Sequence, residues 1–227
     1  MSRRLIKNEL LSILEQSDFE EILRFLDNHP PHLLLHPLFL ALCNPLAKVR
    51  WNAVCGFGRL VPTMADKDPE SSRIVMRRFL WSLNDESGGI GWGIAEAMGE
   101  VMARHEVLAR EFAHLLVSYI RDDGNYLADT PLQKGVLWGI GRLAQVHSEL
   151  LKSCSAVSYV KPFLHSPDGP LRGLAVWALG WLGDPQSLPL LRNLLNDPTE
   201  ISIFNGNRLE IRAIRDLAGE AIKRLRI

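Results

Sequence analysis

The chain has 227 residues, 47% apolar and 23% charged, so it can bury a sizeable core as one large domain or two small ones, and wholesale disorder is excluded. Lys plus Arg equal Asp plus Glu at 26 each; without a net basic field, nothing favours a nucleic-acid or membrane partner. Three cysteines, Cys43, Cys55 and Cys154, fit neither a zinc spacing nor a disulfide framework, which points to a reducing cytoplasm with no metal or cofactor implied.

From the N-terminus, Met1 to Lys7 is basic but runs into Asn8 and Glu9, so no apolar signal core is expected. Leu5, Leu10, Leu11 and Leu14, then Phe19, Ile22, Leu23 and Leu26, predict two short helices over residues 1–29 that cap the open end of a helical array. The most apolar stretch, Leu33 to Cys43, is interrupted by His36 and Pro37 and is too short to span a bilayer.

A pattern with a period near forty residues then organises residues 30–227 as one continuous array with the cap. It starts on an apolar residue, with small or apolar residues at offsets 4, 7 and 8, a glycine at 9 and an apolar residue at 11. Copies run Val49–Leu60, Ile90–Val101, Leu132–Leu143 and Leu171–Leu182, with a degenerate fifth at Ile214–Leu225. The glycine falls at 58, 99, 141 and 180 and becomes Lys223 in the fifth copy, so the steps are 41, 42, 39 and 43 residues. At about 100° per residue these offsets form one buried helical stripe. Each copy therefore predicts the second helix of a pair. The stripes Val75-Met76-Phe79-Leu80-Leu83, Leu108-Phe112-Leu115-Leu116-Tyr119 and Leu188-Leu191-Leu194-Leu195 supply first helices. Asp68-Pro69, Thr130-Pro131, Gly169-Pro170, Gly183-Asp184-Pro185 and Asp197-Pro198 mark the joints. No strand is predicted. The charged final helix, with Arg208, Arg212, Arg215 and Lys223 against Glu210, Asp216 and Glu220, suits a closing cap.

The Val-Arg-x-x-Ala-x-x-Ala-Leu-Gly-x-Leu form, best kept in Leu171 to Asp184, resembles the HEAT-like repeats named after phycobilisome lyases. The whole chain, above all Met76 to Gly93, is similar to an uncharacterised bacterial HEAT-repeat family. The resemblance implies an all-α, right-handed α-α superhelix of about five helical pairs, and no particular reaction.

In such a solenoid the second helices line the concave, ligand-binding side. Offset two carries Trp51 and Trp92, offset six Glu96, Trp138 and Trp177, and offset ten Arg142 and Trp181. These indoles either fill space between adjacent second helices or line an aromatic groove deepened by the offset-nine glycines; the groove is the favoured reading. The turn at Asn84-Asp85-Glu86-Ser87-Gly88-Gly89 adds Asp85 and Glu86, and no Lys or Arg occurs from Phe79 to Ala103; the stretch is either a capped interhelical turn, the favoured reading, or an acidic patch that attracts a cation or basic peptide. Asp122-Asp123-Gly124-Asn125 lacks the ligand alternation of a calcium loop.

The expected function is a non-enzymatic scaffold that holds a protein, a peptide or a small aromatic ligand on Trp51, Trp92, Glu96, Trp138, Arg142, Trp177 and Trp181. Neutral charge and the absence of catalytic motifs favour it. A second reading, by fold analogy alone, is a helical-repeat lyase or DNA glycosylase in which Trp92, Glu96, Trp138 and Arg142 imitate a concave catalytic set. A homodimer through the solenoid ends or Leu33 to Cys43 is a third expectation.

Overall fold

The computed structural model describes residues 3–16, 18–85, 91–206 and 208–225. The chain is an α-solenoid of paired helices. It divides into two compact units, Met1–Leu108 and Ala109–Ile227. In the first, α1 (Arg3–Gln16) and α2 (Phe19–Asp27) precede the pairs α3 (Pro31–Leu42) with α4 (Ala47–Ala65) and α5 (Pro69–Leu83) with α6 (Ile94–Arg104). Helix α7 (Glu106–Ser118) spans the division. The second unit continues with α8 (Thr130–Ser153), α9 (Ala156–Val160), α10 (Gly169–Leu182), α11 (Leu188–Arg192), strands β1 (Glu200–Phe204) and β2 (Leu209–Ala213), and α12 (Ile214–Arg224). Among the described residues, no helix is long and apolar enough to cross a membrane.

The five repeat copies form the second helices, and within each unit successive ones pack side by side, α4 on α6, and α10 between α8 and α12. The offset-nine glycines make this possible. A β-carbon at Gly58 would sit 2.5 Å from Glu100 Cγ, one at Gly141 2.2 Å from Trp177 Cζ3, and one at Gly180 2.7 Å from Ala221 Cβ. These glycines are crossing points between neighbouring helices, not the floor of an open groove. In the first unit, Phe39, Phe57 and Phe79 meet with ring centroids 4.9–5.3 Å apart, one ring from each of α3, α4 and α5. Burying such rings adds to the apolar burial that drives the unit's folding.

Helix starts follow short-range chemistry. Asp68, Asp129 and Asp168 accept from the backbone N–H three residues on, with proline in the first turn of each helix. At the Thr130-Pro131 and Gly169-Pro170 joints the cap is the aspartate one residue earlier, Asp129 and Asp168.

The expectation of no strand is overturned. β1 and β2 pair antiparallel with Glu200 opposite Ala213 and Phe204 opposite Leu209. The first helix of the last pair is correspondingly short: α11 ends at Arg192, and Leu194 and Leu195 lie beyond it. Asp197, expected to start a helix, instead receives Arg172 of α10 at 2.8 Å and caps Thr199 N–H at 3.0 Å. Burial tends to raise the Asp197 carboxyl, but these contacts outweigh it and hold it below the usual range. Arg172 also donates to the Thr199 hydroxyl, so α10 grips the base of the hairpin.

Candidate functional site

The second helix of the second repeat begins later than its pattern indicated. Gly93 adopts φ +70° and stands at the N-terminal boundary of α6, so the helix starts at Ile94. A β-carbon at Gly93 would lie 3.1 Å from the Leu42 carbonyl, a second reason for glycine there. The consequence is that Trp92 lies outside the helix, and its side chain is 44% exposed. Glu96 sits in the first turn of α6, half-buried. Burial raises its carboxyl to about 7, against smaller opposing effects from its own backbone N–H and from the Arg50 charge. Arg50 itself donates to the Asn44 carbonyl at 3.0 Å. Trp51, beside it on α4, is half-buried. One turn beyond Glu96, Glu100 is buried and takes Arg104 as its ion-pair partner. Asp85 is half-buried, and Glu86 lies outside the described residues.

The second unit is arranged otherwise. Trp138 and Trp177, expected on the open face, are 3% and 8% exposed. Their rings stack at 6.2 Å, Phe204 of β1 lies 6.2 Å from Trp138, and the Trp138 indole N–H donates to the Phe204 carbonyl at 2.9 Å. Ile201, on the same strand, presses on α10 where Gly173 leaves room. The hairpin therefore covers the indoles that the repeat pattern points outward. Trp181 is half-buried, with the Arg224 guanidinium 4.0 Å above its ring, and its buried indole N–H has no hydrogen-bond partner among the described residues. Arg142 bonds Gln145 at 3.0 Å. The two readings weighed for these residues thus divide by unit: packing between second helices in the second, partial exposure at Trp51, Trp92 and Glu96 in the first.

Comparison with known proteins agrees with this architecture. Residues 125–202 match the family model described as HEAT repeats. Over nearly its whole length the chain superposes on designed repeat proteins. The chain has the fold of a helical-repeat solenoid, and its residues 125–202 are similar to HEAT repeats. An engineered protein matches with TM-score 0.56 at 14% identity, covering 97% of this chain and 96% of that one. A designed armadillo repeat protein in complex with the peptide (KR)4 matches at 0.55 and 16% identity, covering 96% and 98%. Computationally designed armadillo repeat proteins for modular peptide recognition match at 0.55 and 16%, covering 96% and 91%. Among curated proteins no sequence relative is found.

In this chain two exposed features escape the sequence pattern. Among the described residues, Trp81 on α5 and Ile211 of β2 are the most exposed large apolar side chains, at 64% each. Trp81 lies among core-like residues and carries no distinguishing signal. The hairpin does carry one: Ile201 and Ile203, then Asn205-Gly206, then Leu209 and Ile211 alternate about a turn dipeptide.

Proposed function

We propose that this helical-repeat protein is a non-enzymatic scaffold whose first unit holds an extended basic peptide segment against Trp92, Glu96 and Trp51. The observation that carries the reading is Trp92, displaced from α6 by Gly93 and exposed one turn from a carboxyl that burial leaves poorly neutralised. An indole face attracts a Lys or Arg head group, and Glu96 supplies the opposite charge. The absence of Lys and Arg between Phe79 and Ala103 adds to the attraction, and a peptide of this chemistry occupies one of the designed armadillo proteins of similar fold.

Binding of a cation requires ionised Glu96. With its carboxyl raised to about 7, most of it is protonated at pH 6 and ionised at pH 8. Fluorescence anisotropy of a labelled (KR)4 peptide is expected to show saturable binding that tightens as pH rises through 7. Trp92→Ala is expected to weaken it about tenfold, and Glu96→Gln to weaken it and flatten the pH profile. Equal affinity in wild type and both variants would refute the reading.

A further inference from the structure

The hairpin leaves one strand edge open. Asn205 N–H donates to the Arg208 carbonyl and Ile214 N–H to the Thr199 carbonyl, which fixes the alternation of the ladder between them. Ile201 with Arg212 and Ile203 with Glu210 are then the hydrogen-bonded pairs, and the backbone groups of residues 200, 202 and 204 and of 209, 211 and 213 point away from the partner strand. On β1 that outward edge is met by α8, through the Trp138 indole at the Phe204 carbonyl. On β2 it carries Leu209 at 40% and Ile211 at 64% exposure. Sheet edges in monomers are ordinarily guarded by charge, proline or a covering element; β2 carries Glu210 and Arg212 on one face but an exposed isoleucine on the other.

The sequence of β2 is complementary to itself. Antiparallel pairing of two Leu209–Ala213 strands about a two-fold axis at Ile211 sets Ile211 opposite Ile211 and Leu209 opposite Ala213. On the other face it sets Glu210 opposite Arg212 twice. Glu210 already accepts from Arg208 and Arg212 donates to Glu220, so each incoming side chain meets an opposite charge that also keeps its partner within the chain. A register shifted by two residues loses both matches. About six backbone hydrogen bonds form across such an axis, as expected for five-residue strands.

We infer that the β2 edge is an interaction surface for a second copy of this chain, joining two hairpins into a four-stranded antiparallel sheet. Sedimentation velocity over a concentration series is the test. Wild type is expected to associate reversibly to twice the monomer mass. Ile211→Lys and Ile211→Glu each place like charges on the axis and are expected to weaken association at least about tenfold. Mixed in equal amounts, the two variants are expected to associate again. Circular dichroism of each variant is expected to match wild type, because Ile211 is exposed; Leu209→Lys, further from the axis, serves as a second variant with a smaller loss. A wild type that stays monomeric, variants that associate as wild type does, or a mixture that fails to recover would each overturn the inference.

Discussion

At Gly93 one backbone angle decides where a tryptophan goes. A positive φ ends the helical run that the repeat pattern would otherwise extend towards residue 90, and Trp92 is left on the surface beside the first turn of α6. Glu96 then sits where burial penalises its charge. A carboxyl whose folded value lies above its unfolded value gives the folded state no penalty while both are protonated. The penalty appears as pH rises above the ordinary glutamate value and is complete above about 7. Glu96→Gln is therefore expected to raise the melting temperature at pH 8, by an amount equivalent to roughly 1–3 kcal/mol, with the gain shrinking towards pH 4.5. Thermal denaturation at the two pH values checks this; a gain independent of pH would show that another contact is responsible.

Among the elements, the second helices and the hairpin divide the work of covering apolar surface. The helices approach each other at glycine: Trp177 of α10 lies on α8 because Gly141 offers no side chain. Gly141→Ala forces a methyl group into that ring and is expected to cost about 1–3 kcal/mol in chemical denaturation, although alanine is the better helix former. An unchanged or increased stability would show that the ring moves aside freely. The helix pairs and their period are legible in residues such as Val49, Ala53, Phe57 and Leu60, because burial on one helical face leaves a periodic trace. The exposure of individual indoles is not. A helix face records what points outward from its own axis, and Trp138 and Trp177 do so; that β1 lies across them depends on a contact 66 residues distant in sequence from Trp138. The offset-nine glycines are equally ambiguous, since an open groove and a close helix crossing both require the missing side chain. Trp92 is legible as exposed for a partly mistaken reason: the pattern places it on a helix, whereas Gly93 removes it from one.

For the molecule as a whole, the repeat architecture makes two units with unlike second-helix faces. In the first, Trp92 and Glu96 remain accessible at the start of α6. In the second, a hairpin anchored by Arg172 and Asp197 seals Trp138 and Trp177, which hold the repeat position of Glu96, and turns its own outer strand to solvent. Acrylamide quenching of variants that retain a single tryptophan, the other five replaced by phenylalanine, tests this division most directly. Trp92 is expected to be quenched several-fold more strongly than Trp138 and Trp177, which resist quenching with blue-shifted emission. Equal quenching of all three, or a protected Trp92, would contradict it.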